Sequence, residues 1–304
     1  MAIYLGIDGG GTKTTCVVGD ENAVLSSATA GGSNIIRSGQ AQARESLHQA
    51  IRKACTAGKV DPRSVAGTCI GVAGAARREV SDTIRRLISE VVSGEIEVVG
   101  DMVIALDAGF DDGPGVIVLA GTGSIAYGRN REGTTARAGG WGFAISDEGS
   151  GHWIGRAAVA AAMRAQDTKQ SSDLLSAILN AWKITTIDDL VRKANASPPP
   201  DFSGLLPTVL STAEAGDELA HSVLAQSGRE LARLAKMVIG RLFAQQGAVP
   251  VAMGGSVFRR AALVRDVFGH TLEAECPNVA VEAAVVEPVK GALKRARRLA
   301  KQGG

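Results

Sequence analysis

Two short glycine-rich turns constrain this chain more than any other feature: Asp8-Gly9-Gly10-Gly11-Thr12-Lys13-Thr14 and Gly121-Thr122-Gly123-Ser124. Each turn ends an apolar run of strand length, residues 3–7 in the first case and 116–120 in the second. Each is followed by two more short strand-like runs, residues 14–19 and 24–30, then 124–129 and 134–139. A strand, a glycine-threonine turn, a strand, a turn and a third strand thus occur twice. No strict sequence repeat accompanies them, so the duplication is one of pattern.

After the first such unit the pattern alternates. Residues 40–57 carry Ala43, Leu47, Ala50, Ile51 and Ala54 on one helical side, and residues 77–92 do the same with Val80, Ile84, Leu87, Ile88 and Val91. Strands are expected at 68–72 and 96–99, and a helix from Met102. After Gly149 the chain reads as helical to about Gln246, with a loop at Pro198-Pro199-Pro200. Strands follow at 249–253 and 279–286, and a last helix at 288–301. Its Lys290, Lys294, Arg295, Arg297, Arg298 and Lys301 are expected to form a solvated face with favourable charge near the helix C-terminus.

With 304 residues the chain is long enough for two domains with separate cores. A net charge of +2 gives no electrostatic case for a nucleic acid or an anionic membrane. No apolar stretch approaches the roughly 18 residues that cross a bilayer, and residues 1–8 lack the basic start of a signal peptide. Cys16, Cys55, Cys69 and Cys276 are scattered without a CxxC pair, which argues against a zinc or redox motif and fits a reducing cytoplasm. The four histidines show no metal spacing, and no Gly-x-Ser-x-Gly elbow is present, so triad hydrolysis has no support.

The turns carry the chemistry. Three glycines in the first turn permit positive φ and close approach of backbone N–H groups to a bulky anion, with Thr12, Lys13 and Thr14 as further donors. It is not a Walker A loop, because Gly11 is followed by Thr12 and not by Lys-Ser/Thr. The second turn fits the dinucleotide pattern Gly121-x-Gly123-x-x-Ala126, but that fingerprint requires a helix where residues 124–128 read as a strand. Asp101 stands at the C-terminal end of the 96–99 strand, where it could accept a proton from a substrate hydroxyl during phosphoryl transfer; its other reading is a helix N-cap. In Gly139-Gly140-Trp141-Gly142 a tryptophan between glycines can present its ring to a sugar. Asp147 and Glu148 close by can accept hydrogen bonds from hydroxyls, or Asp147 or Ser150 can cap the helix at Gly151. Gly31-Gly32-Ser33-Asn34 exposes an amide side chain, and Gly254-Gly255-Ser256 can admit a nucleoside against bare backbone.

Taken together, the two turns and Gly254-Gly255-Ser256 resemble the two phosphate motifs and the adenosine motif of the sugar kinase/Hsp70/actin superfamily. Order and spacing agree across nearly the whole chain. Gly139-Gly140-Trp141-Gly142 with Asp147-Glu148-Gly149-Ser150 is most similar to the N-acetylglucosamine kinase branch of the BadF/BadG/BcrA/BcrD-type ATPases. The resemblance implies an α/β fold of two ribonuclease-H-like, actin-like ATPase domains. Each would be a mixed five-stranded sheet with flanking helices, and a cleft between them would close on ATP and sugar. The domains would span residues 1–115, with the helix 288–304 packing back on them, and 116–287 with a helical insertion. Gly291-Ala292 would act at the hinge, and a homodimer would be the assembly.

The resemblance further implies an ATP-dependent amino-sugar kinase making the 6-phosphate of N-acetyl-D-glucosamine, with glucosamine or N-acetylmuramic acid as alternative substrates. Asp101 would be the base. Asn34, Gly140, Trp141, Gly142 and Asp147 would surround the sugar. Gly10, Gly11, Thr12, Lys13, Thr14, Gly121, Thr122 and Gly123 would hold phosphates, and Gly254 and Gly255 would flank the nucleoside. Asp8 would hold Mg²⁺ through water, since Mg²⁺ sheds water reluctantly. The cysteine spacing departs from the iron–sulfur activators and from the zinc-binding repressor branch of these families. A regulatory ATPase without a sugar substrate is the alternative of another class.

Overall fold

A computed structural model describes residues 2–243 and 247–302. The expected helix end at Gln246 lies outside the described residues. In chain order the elements are β1 (Ile3–Gly9), β2 (Lys13–Gly19), β3 (Val24–Gly31), α1 (Ile35–Gly58), β4 (Val65–Val72), α2 (Arg78–Ser89), β5 (Glu95–Val99) and α3 (Asp101–Phe110). There follow β6 (Gly115–Ala120), β7 (Ser124–Arg129), β8 (Thr135–Gly139), α4 (Gly151–Thr168), α5 (Leu174–Trp182), α6 (Ile187–Ala194), α7 (Leu206–Glu214) and α8 (Glu218–Leu242). The chain ends with β9 (Val249–Gly254), α9 (Ser256–Arg260), α10 (Ala262–Glu275), β10 (Val279–Val286) and α11 (Pro288–Gln302).

Two five-stranded sheets result, ordered β3-β2-β1-β4-β5 and β10-β9-β6-β7-β8. Read from the other edge, the second is β8-β7-β6-β9-β10, the same order with each strand replaced by its counterpart. The duplicated pattern in the sequence is therefore a duplicated topology. In the first sheet β1 pairs antiparallel with β2 and parallel with β4, and β4 pairs parallel with β5. The described residues divide into two compact units: those of Met1–Ile117, Arg129–Gly133 and Val286–Gly304, and those of Val118–Gly128 and Thr134–Val285.

The first unit is a sheet covered on both faces. Alternation along β1 sends Leu5 and Ile7 to one side, where they pack with Leu47, Ile51, Ile84 and Ile88 of α1 and α2. Tyr4 points to the other side and joins Ile104 of α3 with Val289, Ala292, Leu293 and Ala296 of α11. Gly6 permits that approach, since a Cβ there would lie 2.7 Å from the Val289 carbonyl oxygen. Gly291 serves the crossing of α11 over α3, because a Cβ would be driven into the Ile104 carbonyl. In the second unit the middle of β9 (Val251, Ala252, Met253) is fully or nearly buried, as are Leu231, Ala235 and Val238 of α8.

Two expectations are corrected. The basic face of α11 is solvated only in part: Lys290 is exposed, but Arg295 and Arg298 reach the fully buried Asp107 of α3 at 2.8 and 2.9 Å. Arg129 completes the cluster at 3.1 Å, while Arg295 also pairs with Glu97 and Lys294 with Asp111. The glycines of the first turn do not take positive φ. They answer to packing instead, a Cβ on Gly9 lying 2.5 Å from Val72 Cγ1 and one on Gly10 lying 2.9 Å from the Lys13 carbonyl oxygen.

Candidate active site

In the first unit, the C-terminal ends of three adjacent strands assemble the candidate residues. Asp8 lies one residue from the end of β1, half-buried and in register with Gly71 of β4. The β1–β2 hairpin is closed by the Gly10 N–H donating to Lys13 O at 3.0 Å, and the Ser33 N–H donates to Gly10 O at 3.0 Å. Gly32 packs directly on the turn, where a Cβ would strike the Gly11 carbonyl. Thr14 is completely buried, and its hydroxyl donates to Gly31 O at 2.7 Å with Ser33 Oγ at 2.8 Å. That side chain fastens the turn to β3 and does not reach outward, contrary to the sequence reading of it as a phosphate donor. Thr12 and Lys13 are the exposed donors. Asn34 is half-buried, and its Oδ1 accepts from the Ile36 N–H at 3.0 Å, turning the chain into α1.

Asp101 is the first residue of α3, and Gly100 is the N-cap, so the expectation of a capping aspartate is corrected by one position. Its Oδ1 accepts from the Met102 N–H at 2.9 Å. Burial pushes its carboxyl pKa above the usual aspartate range, and the hydrogen bonds from the Met102 and Asp101 N–H groups only partly oppose this. The carboxylate thus has raised proton affinity even at a helix N-terminus, where the dipole favours negative charge. Gly71 lets the first turn of α3 pack on β4: a Cβ there would strike the Ile104 side chain and lie 3.2 Å from the Asp101 Cα. Asp8 and Asp101 therefore flank one β4 position.

In the second unit, three segments meet. The Gly121 N–H donates to Gly123 O at 2.9 Å, closing the second turn. The start of α4 is zipped beneath it, with the Gly151 N–H donating to Gly121 O at 2.8 Å and the His152 N–H to Thr122 O at 3.3 Å. Asp147, with φ at +71°, tucks its carboxylate under the turn and accepts from the Ser124 N–H at 3.2 Å. Desolvation raises its pKa, with the Ser124 N–H opposing. A Cβ on Gly123 would lie 2.9 Å from Asp147 Oδ2. Gly255, at φ +97°, sets its backbone on Ala120, the residue before Gly121, and thereby brings the third glycine motif to the second. Gly121 itself is different, because a Cβ there would meet nothing within 4 Å. Its N–H and carbonyl are paired within the turn and with α4, but the side where a Cβ would stand is open, which leaves room for a phosphate to approach.

The tryptophan loop has its own logic. Gly139 and Gly140 both take left-handed φ, +71° and +70°, which only glycine adopts cheaply in succession. They fold the chain so that Trp141, 62% exposed, lies under the Arg137 guanidinium, whose Cζ is 4.0 Å from the ring centroid. Gly142 follows at φ +94°.

Several residues of this region escaped sequence reasoning. Ser124 Oγ donates to Glu148 O at 2.7 Å, Ser227 Oγ donates to Gly149 O at 2.8 Å from α8, and His152 stands between the rings of Phe143 and Phe202 at 4.9 and 5.3 Å. Ser150, one of the two expected caps of α4, is the cap, accepting from the Trp153 N–H at 3.1 Å. The isolated acid in the apolar run of α3, Asp107, was the one available signal for the buried arginine cluster.

Among the described residues no group of three His, Cys, Asp or Glu side chains could hold a metal, and no helix is long and apolar enough to cross a membrane. The strand after Gly123 removes the nicotinamide reading. Comparison with known proteins gives one consistent result. The profile of the BadF/BadG/BcrA/BcrD ATPase family matches residues 5–293. The chain is 33% identical to an N-acetylmuramic acid/N-acetylglucosamine kinase of Clostridium acetobutylicum, over 98% of this chain and 99% of the relative. It is 28% identical to an N-acetyl-D-glucosamine kinase of Dictyostelium discoideum, over 95% and 96%. A solved structure from Chromobacterium violaceum, assigned as an N-acetylglucosamine kinase, superposes with a TM-score of 0.77 at 26% identity, covering 96% of this chain and 98% of the other.

Proposed function

The chain belongs to the BadF/BadG/BcrA/BcrD ATPase family, and from that premise we propose that it is an ATP-dependent amino-sugar kinase that phosphorylates the 6-hydroxyl of N-acetyl-D-glucosamine. The observation that carries the reading is Asp101, a half-buried carboxylate of raised proton affinity beside the end of β4, in the same unit as the first glycine turn.

The proposed step is simple in its accounting. The sugar O6 loses its proton to the Asp101 carboxylate and forms a bond to the γ-phosphorus, the bond from that phosphorus to the bridging oxygen breaks, and ADP leaves. Thr12, Lys13, the Gly11 N–H and the side-chain-free Cα of Gly10 approach the phosphates from one motif, and Gly121, Thr122 and Gly123 from the other. Gly254 and Gly255 flank the nucleoside. Asn34, Gly140, Trp141, Gly142 and Asp147 orient the sugar, Trp141 by its exposed ring and Asp147 mainly by holding the second turn in shape. The half-buried Asp8 carboxylate near the end of β1 suits Mg²⁺, which takes one or two carboxylates and completes its shell with water and phosphate oxygens. When bound, that ion would neutralise charge on the phosphates.

A sugar-independent activator ATPase is not favoured, since the curated relatives matched over nearly the whole chain are kinases by name. We place the protein in the reducing cytoplasm, in keeping with Cys16, Cys55, Cys69 and Cys276, all free thiols. A coupled assay of ADP release over N-acetylglucosamine, glucosamine, N-acetylmuramic acid and glucose tests the proposal. Release stimulated by at least one amino sugar is the expected outcome, and hydrolysis that ignores all of them defeats it.

A further inference from the structure

We propose that Arg137 is a specificity-determining residue that binds a carboxylate carried by the amino sugar. The accepted substrates would then include acidic amino sugars such as N-acetylmuramic acid, whose 3-O-lactyl group ends in a carboxylate. This rests on the amino-sugar kinase reading and deepens it.

Arg137 is half-buried on β8, an edge strand, four residues before Trp141. The left-handed pair Gly139-Gly140 brings the indole beneath it, with the guanidinium carbon 4.0 Å above the ring centroid. The cation is fixed in place, yet among the described residues no carboxylate lies within ion-pair distance of it. The acids that follow in the same loop have other partners: Asp147 accepts from the Ser124 N–H at 3.2 Å, and Glu148 Oε2 accepts from Ser146 Oγ at 3.0 Å. The backbone of Arg137 is tied to α8, Arg241 Nη1 donating to its carbonyl oxygen at 2.9 Å. A partly desolvated, immobilised guanidinium without a counter-charge is poised for a planar anion, which its fork can bind in bidentate fashion. The sugar loop is where it lies. A pyranose stacked on the Trp141 face that Arg137 leaves open could send a substituent past the ring edge to the guanidinium, and N-acetylglucosamine itself has no anionic group to offer.

The test compares kcat/KM for N-acetylmuramic acid and N-acetylglucosamine in the wild type, Arg137→Gln and Arg137→Lys. The ratio of the two constants should fall about tenfold or more in Arg137→Gln, the size of a lost charged hydrogen-bonding pair, and should be partly restored in Arg137→Lys. In the wild type, raising salt from about 0.05 to about 0.5 M should raise KM for the acidic sugar and leave that for the neutral one in place. Several results would overturn the proposal. One is a wild type that phosphorylates N-acetylglucosamine but not N-acetylmuramic acid, which leaves the kinase reading standing. A ratio unchanged in both variants is another. A third is a KM for ATP that rises equally with either sugar, which assigns the guanidinium to a nucleotide phosphate. A wild type inactive on every amino sugar removes the kinase reading and this proposal with it.

Discussion

In the proposed mechanism a single carboxyl group bears most of the weight. Asp101 is buried enough that its pKa is raised, which makes it a better base and also a liability. The acid limb of kcat/KM should therefore fall with decreasing pH at a value above the usual aspartate range, because only the deprotonated carboxylate can take the sugar proton. The stability consequence has the opposite sense. A group whose folded pKa is raised stabilises the fold below its unfolded pKa, and that contribution is lost as pH rises through the folded value. Asp101→Asn should thus melt higher than wild type at pH 7, and the gain should vanish in acid, as thermal melts across pH will show. In Asp101→Ala, turnover should drop by about 10²–10⁴-fold, the usual contribution of a general base, while ATP affinity by titration calorimetry stays near the wild-type value. Asp101 could be singled out in the sequence because an acid after a strand is a visible pattern. Its partial burial could not, since that depends on α3 packing against β4, where Gly71 makes room for Ile104.

At the level of elements, the glycine motifs separate into those needed by the fold and those available to a ligand. Gly255 presses on Ala120, and Gly123 on the Asp147 carboxylate. Gly121 presses on nothing. Gly121→Ala should leave stability in urea within about 0.5 kcal/mol of wild type, as for surface changes without a packing role, yet raise KM for ATP severalfold. A variant that keeps both its stability and its KM would show that the second turn does not approach phosphate. The strands and helices themselves were legible, because apolar periodicity decides them. The conformational reason for the first turn's glycines was not: the residues that crowd it, Ser33 and Val72, come from the β3–α1 connection and β4, far along the chain. Thr14 was misjudged on the same ground, since its acceptor Gly31 O belongs to a neighbouring strand.

On the scale of the whole molecule, the fold rests on returning its last helix to its first sheet, and a charged cluster anchors that return. Asp107 is completely buried against Arg129, Arg295 and Arg298. Removing one member of such a cluster leaves charges buried without a partner, so Asp107→Ala should cost about 3–5 kcal/mol in chemical denaturation. The sequence showed the basic residues of α11 but not their partners, which lie nearly two hundred positions away. What the molecule does as a whole is tested most directly by its product. Incubation of the full chain with MgATP and N-acetylglucosamine, followed by ³¹P NMR, should yield one sugar 6-phosphate per ADP, and 6-deoxy-N-acetylglucosamine should yield none. Formation of ADP and inorganic phosphate without any phosphosugar would contradict the account.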